Sequence, residues 1–539
     1  MYLKKISVAL LAAMAVAPAG AVEMLNTQHL WTFDHWAAKG NGTPGFGAEI
    51  LAFDAANSAL WVVGLDVEGP DLGNGGIDVL DLSGNLLNSI DLTALGGVNS
   101  VAIANGRAAV AVSAPFKTDP GYVRFFDTSD YSILGTVGVG ANPDAVTFTP
   151  DGSRVIVANE GEPIDYSAAN IDPQGTVSII DAATLAATTA DFTAFDASRV
   201  TLEALGVRLN GPNASVSQDL EPEYSAVSAD GTRALVTLQE NNSVAVIDLE
   251  TSTVEAIVPL GFKNHNALGN GLDASNSDGI EGNIQNWRVN GTYMPDGIAG
   301  FTNDGNQYYV IANEGDAREW GDENDPDFFI DEVRVKDADI DPVLDGLLKL
   351  QHGDDYADSA NLGRLKVSTT GDLDGDGDLD RLESFGARSF SILNASGEIV
   401  YDSADAIEQI IAAQFLDDLW VDDRSDDKGP EPESVVIGQL GASTLLFVGL
   451  ERSNAVMIWD LTDLGDINFI DMLFADGDIG PEGLTYFTLG NTGYLGIANE
   501  ISGTTSLYSL TAVPVPAAVW LFGSALAGLG AMRRRDPLA

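Results

Sequence analysis

The chain has 539 residues, 80 of them acidic against 26 basic, for a formal net charge of −54, and it contains no cysteine. Such a surface repels phosphate backbones, which removes nucleic acid from the partners and leaves cations, cationic surfaces or solubility in salty water; a thoroughly solvated acidic exterior satisfies the same count. With no thiol there is no disulfide, no thiolate nucleophile and no cysteine–zinc site, so stability must come from burial.

Residues 1–21 read as an export signal. Lys4 and Lys5 form the basic start, residues 8–16 the apolar core, and Ala19-Gly20-Ala21 the small-residue cleavage site. The apolar run is short for an uncleaved anchor. The mature body is expected over residues 22–512.

The body is organised by a repeat whose clearest copy is residues 144–160, DAVTFTPDGSRVIVANE. Val146 and Phe148 alternate with Thr147 and Thr149, the period of a half-buried strand. Pro150-Asp151-Gly152 signals a tight turn, and Val155, Ile156 and Val157 suit a buried second strand. The block recurs at residues 223–240, 296–314, 433–451 and 482–500, more weakly at 49–66, and most weakly from Asn99, where both acids are missing. Most copies lead into a third strand ending in an acid, at Asp81, Asp127, Asp181, Asp248 and Asp460, and often a fourth, as at 253–259. Four short strands per unit, spaced by about 45–50 residues, predict an all-β, seven-bladed β-propeller. A β-sandwich is the alternative, but sandwich strands do not repeat an acid–turn–acid pattern this often. The seventh repeat stops after its third strand, at 504–510. A ring must close, so residues 25–33 are expected to supply the missing outer strand of that last blade.

Long insertions are expected at 161–174, 186–222, 260–295 and 315–384, followed by a helix over 403–420 with Ser403 as N-cap and Asp405 and Glu408 in its first turn. With strands numbered from the axis outward, every insertion joins a second to a third strand or a fourth to the next first. All such links lie on one face, so one face is elaborated and the other bare, and loops on a rigid scaffold are where function concentrates.

Three patterns point to chemistry. The first is residues 372–383, DLDGDGDLDRLE, which matches the calcium loop D-x-D-x-D-G-x₅-E in full. Asp372, Asp374 and Asp376 offer carboxylates, Asp378 its carbonyl, Asp380 a water-mediated contact and Glu383 a bidentate carboxylate; Leu379 is the apolar anchor. The expected cofactor is calcium, in a structural clip that orders the 315–384 insertion; an acidic flexible loop is the bland alternative. The second pattern is the repeated acids. Glu49, Asp144, Glu223, Asp296, Glu433 and Glu482 precede first strands, while Glu160, Glu240, Glu314, Glu451 and Glu500 end second strands, with Glu221 and Glu431 beside them. All fall on the elaborated face around the channel mouth. A ring of carboxylates cannot stay ionised at close range without cations or raised pKa values, so it is either a metal or ligand site or a spread, solvated rim. Arg318, Arg388 and Arg452 are candidates to hold an anion beside such a metal, or else to pair with neighbouring carboxylates. His265 and His352 lie in insertions, which leaves a histidine-based triad unsupported, and no glycine-rich phosphate loop opens a helix. The third pattern is the tail at 513–539. Val513-Pro514-Val515-Pro516-Ala517 precedes an apolar run and Arg533-Arg534-Arg535, which fits a transient membrane anchor that is cut off.

The motifs NPDAVTFTPDGSRVIVANEGEP, LEPEYSAVS, IANEGDAREW, the 372–383 loop leading into SFGARSFSI, GPEPESV and GPEGL span most of the mature chain. They resemble the choice-of-anchor I family, which is similar to the mesenchyme-specific cell-surface glycoproteins. The resemblance implies a propeller, export and calcium, and no particular reaction. The tail resembles a PEP-CTERM signal of the VPxxA type, which implies an exosortase-like sorting protease and a Gram-negative envelope with exopolysaccharide. Asn99 departs from the family pattern. The expected function is a calcium-binding surface or extracellular-matrix binding protein whose partner is a surface polysaccharide or matrix component. The alternative is a calcium-dependent hydrolase, phytase-like or lactonase-like, with its site at the channel mouth.

Overall fold

The computed structural model describes residues 24–37, 46–64, 75–167, 171–321, 324 and 328–513. The expected export signal at 1–21, the expected sorting tail beyond residue 513 and Asp66, the acid that ends the weak 49–66 copy, lie outside the described residues.

The second strand of each repeat is a short apolar run, such as RVIVAN at Arg154–Asn159 or RALVTL at Arg233–Leu238, and these runs are almost wholly buried. A continuous apolar strand needs cover on both faces, and it finds cover only if its sheet is sandwiched between two others. Outer strands such as Leu86–Asp91 and Ala187–Asp191 are much more exposed. The result is a set of seven four-stranded antiparallel sheets among the described residues. Their inner strands are Ile50–Asp54, Val98–Ala104, Pro143–Phe148, Pro222–Val227, Ile298–Asn303, Pro432–Leu440 and Pro481–Leu489. Each inner strand packs beside the next, and the last packs beside the first, so the sheets surround one axis as in a β-propeller. An apolar core fills each gap between neighbouring sheets; the one built on Leu51, Leu60, Phe487 and Leu507 joins the last sheet to the first.

The outer strand of the last sheet comes from the opposite end of the chain. Met24–Asp34 runs antiparallel to Thr504–Val513, from Met24 opposite Val513 to Asp34 opposite Thr504. It hides an edge that would otherwise offer unpaired backbone groups. His35, just beyond it, is fully buried and bridges the seam: Nδ1 lies 2.8 Å from Asp78 Oδ2 in the first sheet, and Nε2 lies 2.8 Å from Thr505 Oγ1 in the last. Trp31 adds an indole N–H bond to the Leu82 carbonyl at 3.0 Å.

Connections inside the sheets follow the strand argument. First-to-second and third-to-fourth turns are tight, and Asp81, Asp181 and Asp248 brace the latter by accepting N–H bonds from residues two to four positions on. Long segments occur only between second and third strands or between sheets. The insertion between Asn306–Asn313 and Ser389–Asn394 builds a satellite core with the 260–297 linker, formed by Leu272, Trp287, Leu344, Leu348, Leu379 and Leu382. Its helix Pro342–His352 begins at Asp341, whose carboxylate accepts from the N–H groups of Val343 and Leu344. The expected helix over 403–420 is shorter and broken: Ala406–Gln414 and Leu416–Leu419 flank Phe415. Ser403 is not its cap, because its hydroxyl accepts the Phe390 N–H instead, while Glu408 does lie in the first turn.

Replacing His35 with alanine removes both seam contacts and leaves Asp78, 2 % exposed, with only the Ser89 hydroxyl. The His35→Ala variant is expected to lose roughly 2–3 kcal/mol of stability by urea unfolding, the cost of stranding a buried acceptor and opening the seam.

Candidate functional site

Each inner strand opens toward the axis at the elaborated face. A proline precedes the acid in five copies, at Pro143, Pro222, Pro295, Pro432 and Pro481. In four of them the ladder to the second strand slips by one residue directly after that proline: Pro143 faces Asn159 but Val146 faces Val157, and the same shift follows Pro222, Pro432 and Pro481. Proline has no N–H to give the ladder, and the extra residue of a bulge re-aims its neighbours. The re-aimed side chains are Asp144, Glu223, Glu433 and Glu482. Glycine after the acid lets neighbouring strands touch there. Gly297 N–H donates to the Glu433 carbonyl at 2.9 Å, and a Cβ on Gly297 would sit 2.6 Å from that oxygen.

The structure brings every channel-mouth acid read from the repeats to one place. Glu49 interacts electrostatically with Glu500 and Asp144, Glu223 with Glu240, Asp296 and Glu160, Glu433 with Glu314 and Glu451, and Glu482 with Glu49 and Glu433. Several of these residues are half-buried overall, yet buried carboxylate oxygens are found on Glu240, Glu433 and Glu482. Burial first, and neighbouring carboxylates second, push Glu49, Glu160, Glu223, Asp296, Glu433 and Glu482 well above the usual carboxylate range. Asp144 and Glu240 are raised to about 7 and Glu451 to about 8, with burial the leading cause in each. Turn acids of the bare face behave oppositely: hydrogen bonds from Ser153 and Thr149 lower Asp151 to about 2.

Within the ring, two groups of three carboxylates have oxygens within 4.8 Å of one another: Asp296, Glu314 and Glu433, and Glu314, Glu431 and Glu451. The second group is already neutralised. Lys428 Nζ lies 2.8 Å from Glu314 and 3.3 Å from Glu431, Arg424 Nη2 lies 2.6 Å from Glu431, and Arg452 Nη1 lies 2.9 Å from Glu451. Burial opposes the Lys428 charge, but Asp316, Glu314 and Glu431 together hold its ammonium well above the usual lysine range.

The three arginines named as anion holders are engaged elsewhere. Arg318 is fully buried, with Nη1 on the Asp219 carboxylate and on Asn210 Oδ1 at 2.9 Å, and Nη2 on Glu221 at 3.0 Å. Arg388 is buried on Glu408 at 2.9 Å and on the carbonyls of Asp273, Ser425 and Asp427. Arg452 serves Glu451 and Glu431. All three pair with internal carboxylates, the reading weighed against anion binding. Asn159 and Asn313 likewise tie second strands to the hydroxyls of third strands.

The 372–383 loop folds on itself. Asp372 accepts N–H bonds from Gly375 at 2.7 Å and Gly377 at 3.0 Å, both glycines at positive φ, and Asp380 accepts from Leu373 at 2.8 Å. Leu379 is buried in the satellite core. Oxygens of Asp372, Asp374 and Asp380 converge within 4.8 Å, and Asp376 beside it raises Asp374. This all-oxygen donor set fits a hard cation such as calcium. One expected ligand is placed differently: Glu383 is turned inward onto Arg381 Nε at 2.6 Å and Thr370 Oγ1 at 2.9 Å. Asp378, expected to offer its carbonyl, has a carboxylate that groups with Asp380 and Asp341. Asp341 enters because Ile340 pairs with Leu379 in a short parallel bridge. The sequence reading also passed over Glu162, which shares Asn142 with Glu160, and Tyr224, whose phenol is raised by burial and by Asp144, Asp296, Glu482 and Glu433 from four other sheets. The proline before five of the six inner-strand acids was the signal available for the aim of the ring.

Taken together, the sheets and the convergent acids define a β-propeller with a carboxylate-lined channel mouth. The chain belongs to the choice-of-anchor I family, whose domain matches residues 49–464. It is 37% identical over 114 residues to Gigasin-3a of Magallana gigas, covering 19% of this chain and 40% of that one. It is 28% identical over 306 residues to the mesenchyme-specific cell surface glycoprotein of Strongylocentrotus purpuratus, covering 48% and 36%. The chain therefore spans less than half the length of these relatives. Among solved structures, the β-propeller domain of Cps50 (Swd1) from Myceliophteria thermophila aligns with a TM-score of 0.43 at 8% identity, over 90% of this chain and 99% of that one.

The raised acids set a pH dependence. Between the ordinary carboxylate range and the raised values, the folded chain keeps protons that the unfolded chain has released, so raising the pH removes stability. With calcium chelated, the melting temperature is expected to fall steadily as pH rises from about 5 to about 8, the window set by Asp144, Glu240 and Glu451. A melting temperature that climbs across that window in chelator contradicts the burial of these groups.

Proposed function

We propose that this chain is an exported propeller, stabilised by calcium at the 372–383 loop, that acts as a binding protein at the cell surface or in the extracellular matrix. The observation that carries the reading is the segregation of the molecule into two ends. Tight turns occupy one face, while every long insertion and the whole carboxylate ring occupy the other. Membership of the choice-of-anchor I family and similarity to a cell surface glycoprotein support placement outside the cytoplasm. Among the described residues no helix is long and apolar enough to cross a membrane. In this reading, surface association rests on the tail beyond residue 513, as a transient anchor cut by an exosortase-like sorting protease, and the partner is a surface polysaccharide or matrix component.

The loop would hold calcium through Asp372, Asp374 and Asp380, with Asp376 available from the same turn and Glu383 free to join only by leaving Arg381 and Thr370. When bound, the ion would fasten the loop on itself and so steady Leu379, which the loop places in the satellite core. The binding reading stands ahead of the hydrolase reading because Arg318, Arg388 and Arg452 spend their donors on internal carboxylates, carbonyls or amides. An anionic substrate would have to compete with those bonds.

Calcium at 100 times its dissociation constant is expected to stabilise the protein by about 2.7 kcal/mol in thermal or urea unfolding. The Asp374→Asn/Asp376→Asn variant should lose most of the part due to the loop. Co-sedimentation with purified acidic exopolysaccharide should require calcium and vanish in chelator. Turnover of a chromogenic phosphate ester or lactone without any retention on polysaccharide would transfer the assignment to the hydrolase.

A further inference from the structure

The channel mouth contains a second place for a metal, distinct from the loop. Asp296 stands just before the inner strand Ile298–Asn303, Glu314 just after the second strand Asn306–Asn313, and Glu433 at the start of the inner strand Pro432–Leu440. Three backbone bonds fix the frame: Asp296 N–H to the Ala312 carbonyl at 3.1 Å, Ala312 N–H to the Gly297 carbonyl at 3.0 Å, and Gly297 N–H to the Glu433 carbonyl at 2.9 Å. The three carboxylates therefore meet on a rigid corner between the fifth and sixth sheets, with oxygens within 4.8 Å of one another.

Two of the three have no directly bonded partner, although the Lys428 charge is felt at Asp296. Asp296 is 8 % exposed, and its carboxylate accepts no hydrogen bond from any described residue. Glu433 Oε2 is buried and without a partner. Glu314 alone is anchored from behind, by Gln239 Nε2 at 2.7 Å and Lys428 Nζ at 2.8 Å. The adjoining group of Glu314, Glu431 and Glu451 supplies the contrast: there Lys428, Arg424 and Arg452 fill the space between the acids. The protein has used its own cations on one side of Glu314 and left the other side bare. A buried carboxylate oxygen with no partner is costly, and the chain keeps one, on Glu433, beside the buried Asp296.

We propose that Asp296, Glu314 and Glu433 bind a hard divalent cation at the channel mouth. The donor set is oxygen only, and the chain has no cysteine, which selects calcium or magnesium over softer metals. Asp144, Glu223 and Glu482 stand on other sheets around the same mouth, and their loss of protons would add to the negative charge that holds the ion. Lys428 limits the charge that Glu314 can lend, so its replacement by glutamine should tighten the metal.

Equilibrium dialysis with calcium, and separately with magnesium, tests this on the whole mature chain. The Asp296→Asn/Glu433→Gln variant should bind one ion fewer per chain than the parent, whether or not the loop variant Asp374→Asn/Asp376→Asn loses its own ion. Loss only in the loop variant supports the structural clip and overturns the channel site; loss only in the channel variant does the reverse. In chelator the channel variant should melt higher than the parent, since like charges have been removed, and this shows it to be folded. Calcium-grown crystals of the parent give a second readout. An anomalous peak between Asp296, Glu314 and Glu433 is expected, and its absence at saturating calcium overturns the proposal.

Discussion

Seven inner strands converge on one axis, and whatever side chain stands at their starts is forced toward the others. In this protein that side chain is an acid in six of the seven repeats. Ring closure is driven by the apolar cores between sheets, which are large, continuous and indifferent to the chemistry at the axis. The fold therefore concentrates carboxylates that would separate if the chain were free to let them. The consequences at the mouth, from acids pushed above the usual carboxylate range to paired lysine and arginine, answer that imposed crowding.

The crowding is met differently around the ring. Near Glu221 the answer is Arg318, buried between Asp219 and Glu221 and backed by Asn210. Near Glu431 it is Lys428, Arg424 and Arg452. Arg318, Lys428 and Arg424 come from the insertions and linkers, and Arg452 from the short turn after Ser443–Leu450, so the elaborated face does more than cover the channel. It threads positive charge back into the mouth at chosen points and pins the insertion down, as Arg208 does with Asp331 at 2.7 Å. Breaking such a pair strands a buried charge, which makes the linkers as necessary to the body as the strands they join. Where no internal cation arrives, at Asp296 and Glu433, the acids are left to protons or to a metal.

Much of this was legible in the residues. Strand periodicity and tight-turn residues repeat with the fold, and counting strands puts long segments on one face. The acids could be placed at the mouth because their position relative to each strand is constant. What could not be read was contact between segments far apart in the chain. Arg388 meeting Glu408 and the Asp273 carbonyl, or Asp341 joining Asp378 and Asp380, depends on how insertions pack, and no local pattern encodes it. Asp341-Pro342 did carry a helix-start signal for Pro342–His352 that went unread, and Ser403 was a false one, its hydroxyl being claimed by Phe390 from the neighbouring strand. Glu383 fits the calcium-loop pattern by spacing, yet its side chain faces Arg381 and Thr370.

The central claim is that ring closure buries a set of acids that hold protons near neutrality when no metal is bound. A hydrogen-ion titration of the calcium-free protein, folded and in denaturant, measures this directly. The account predicts that at pH about 7 the folded chain retains several more protons than the unfolded one, and that the excess is released on adding calcium. Superimposable titration curves through the neutral range would contradict it.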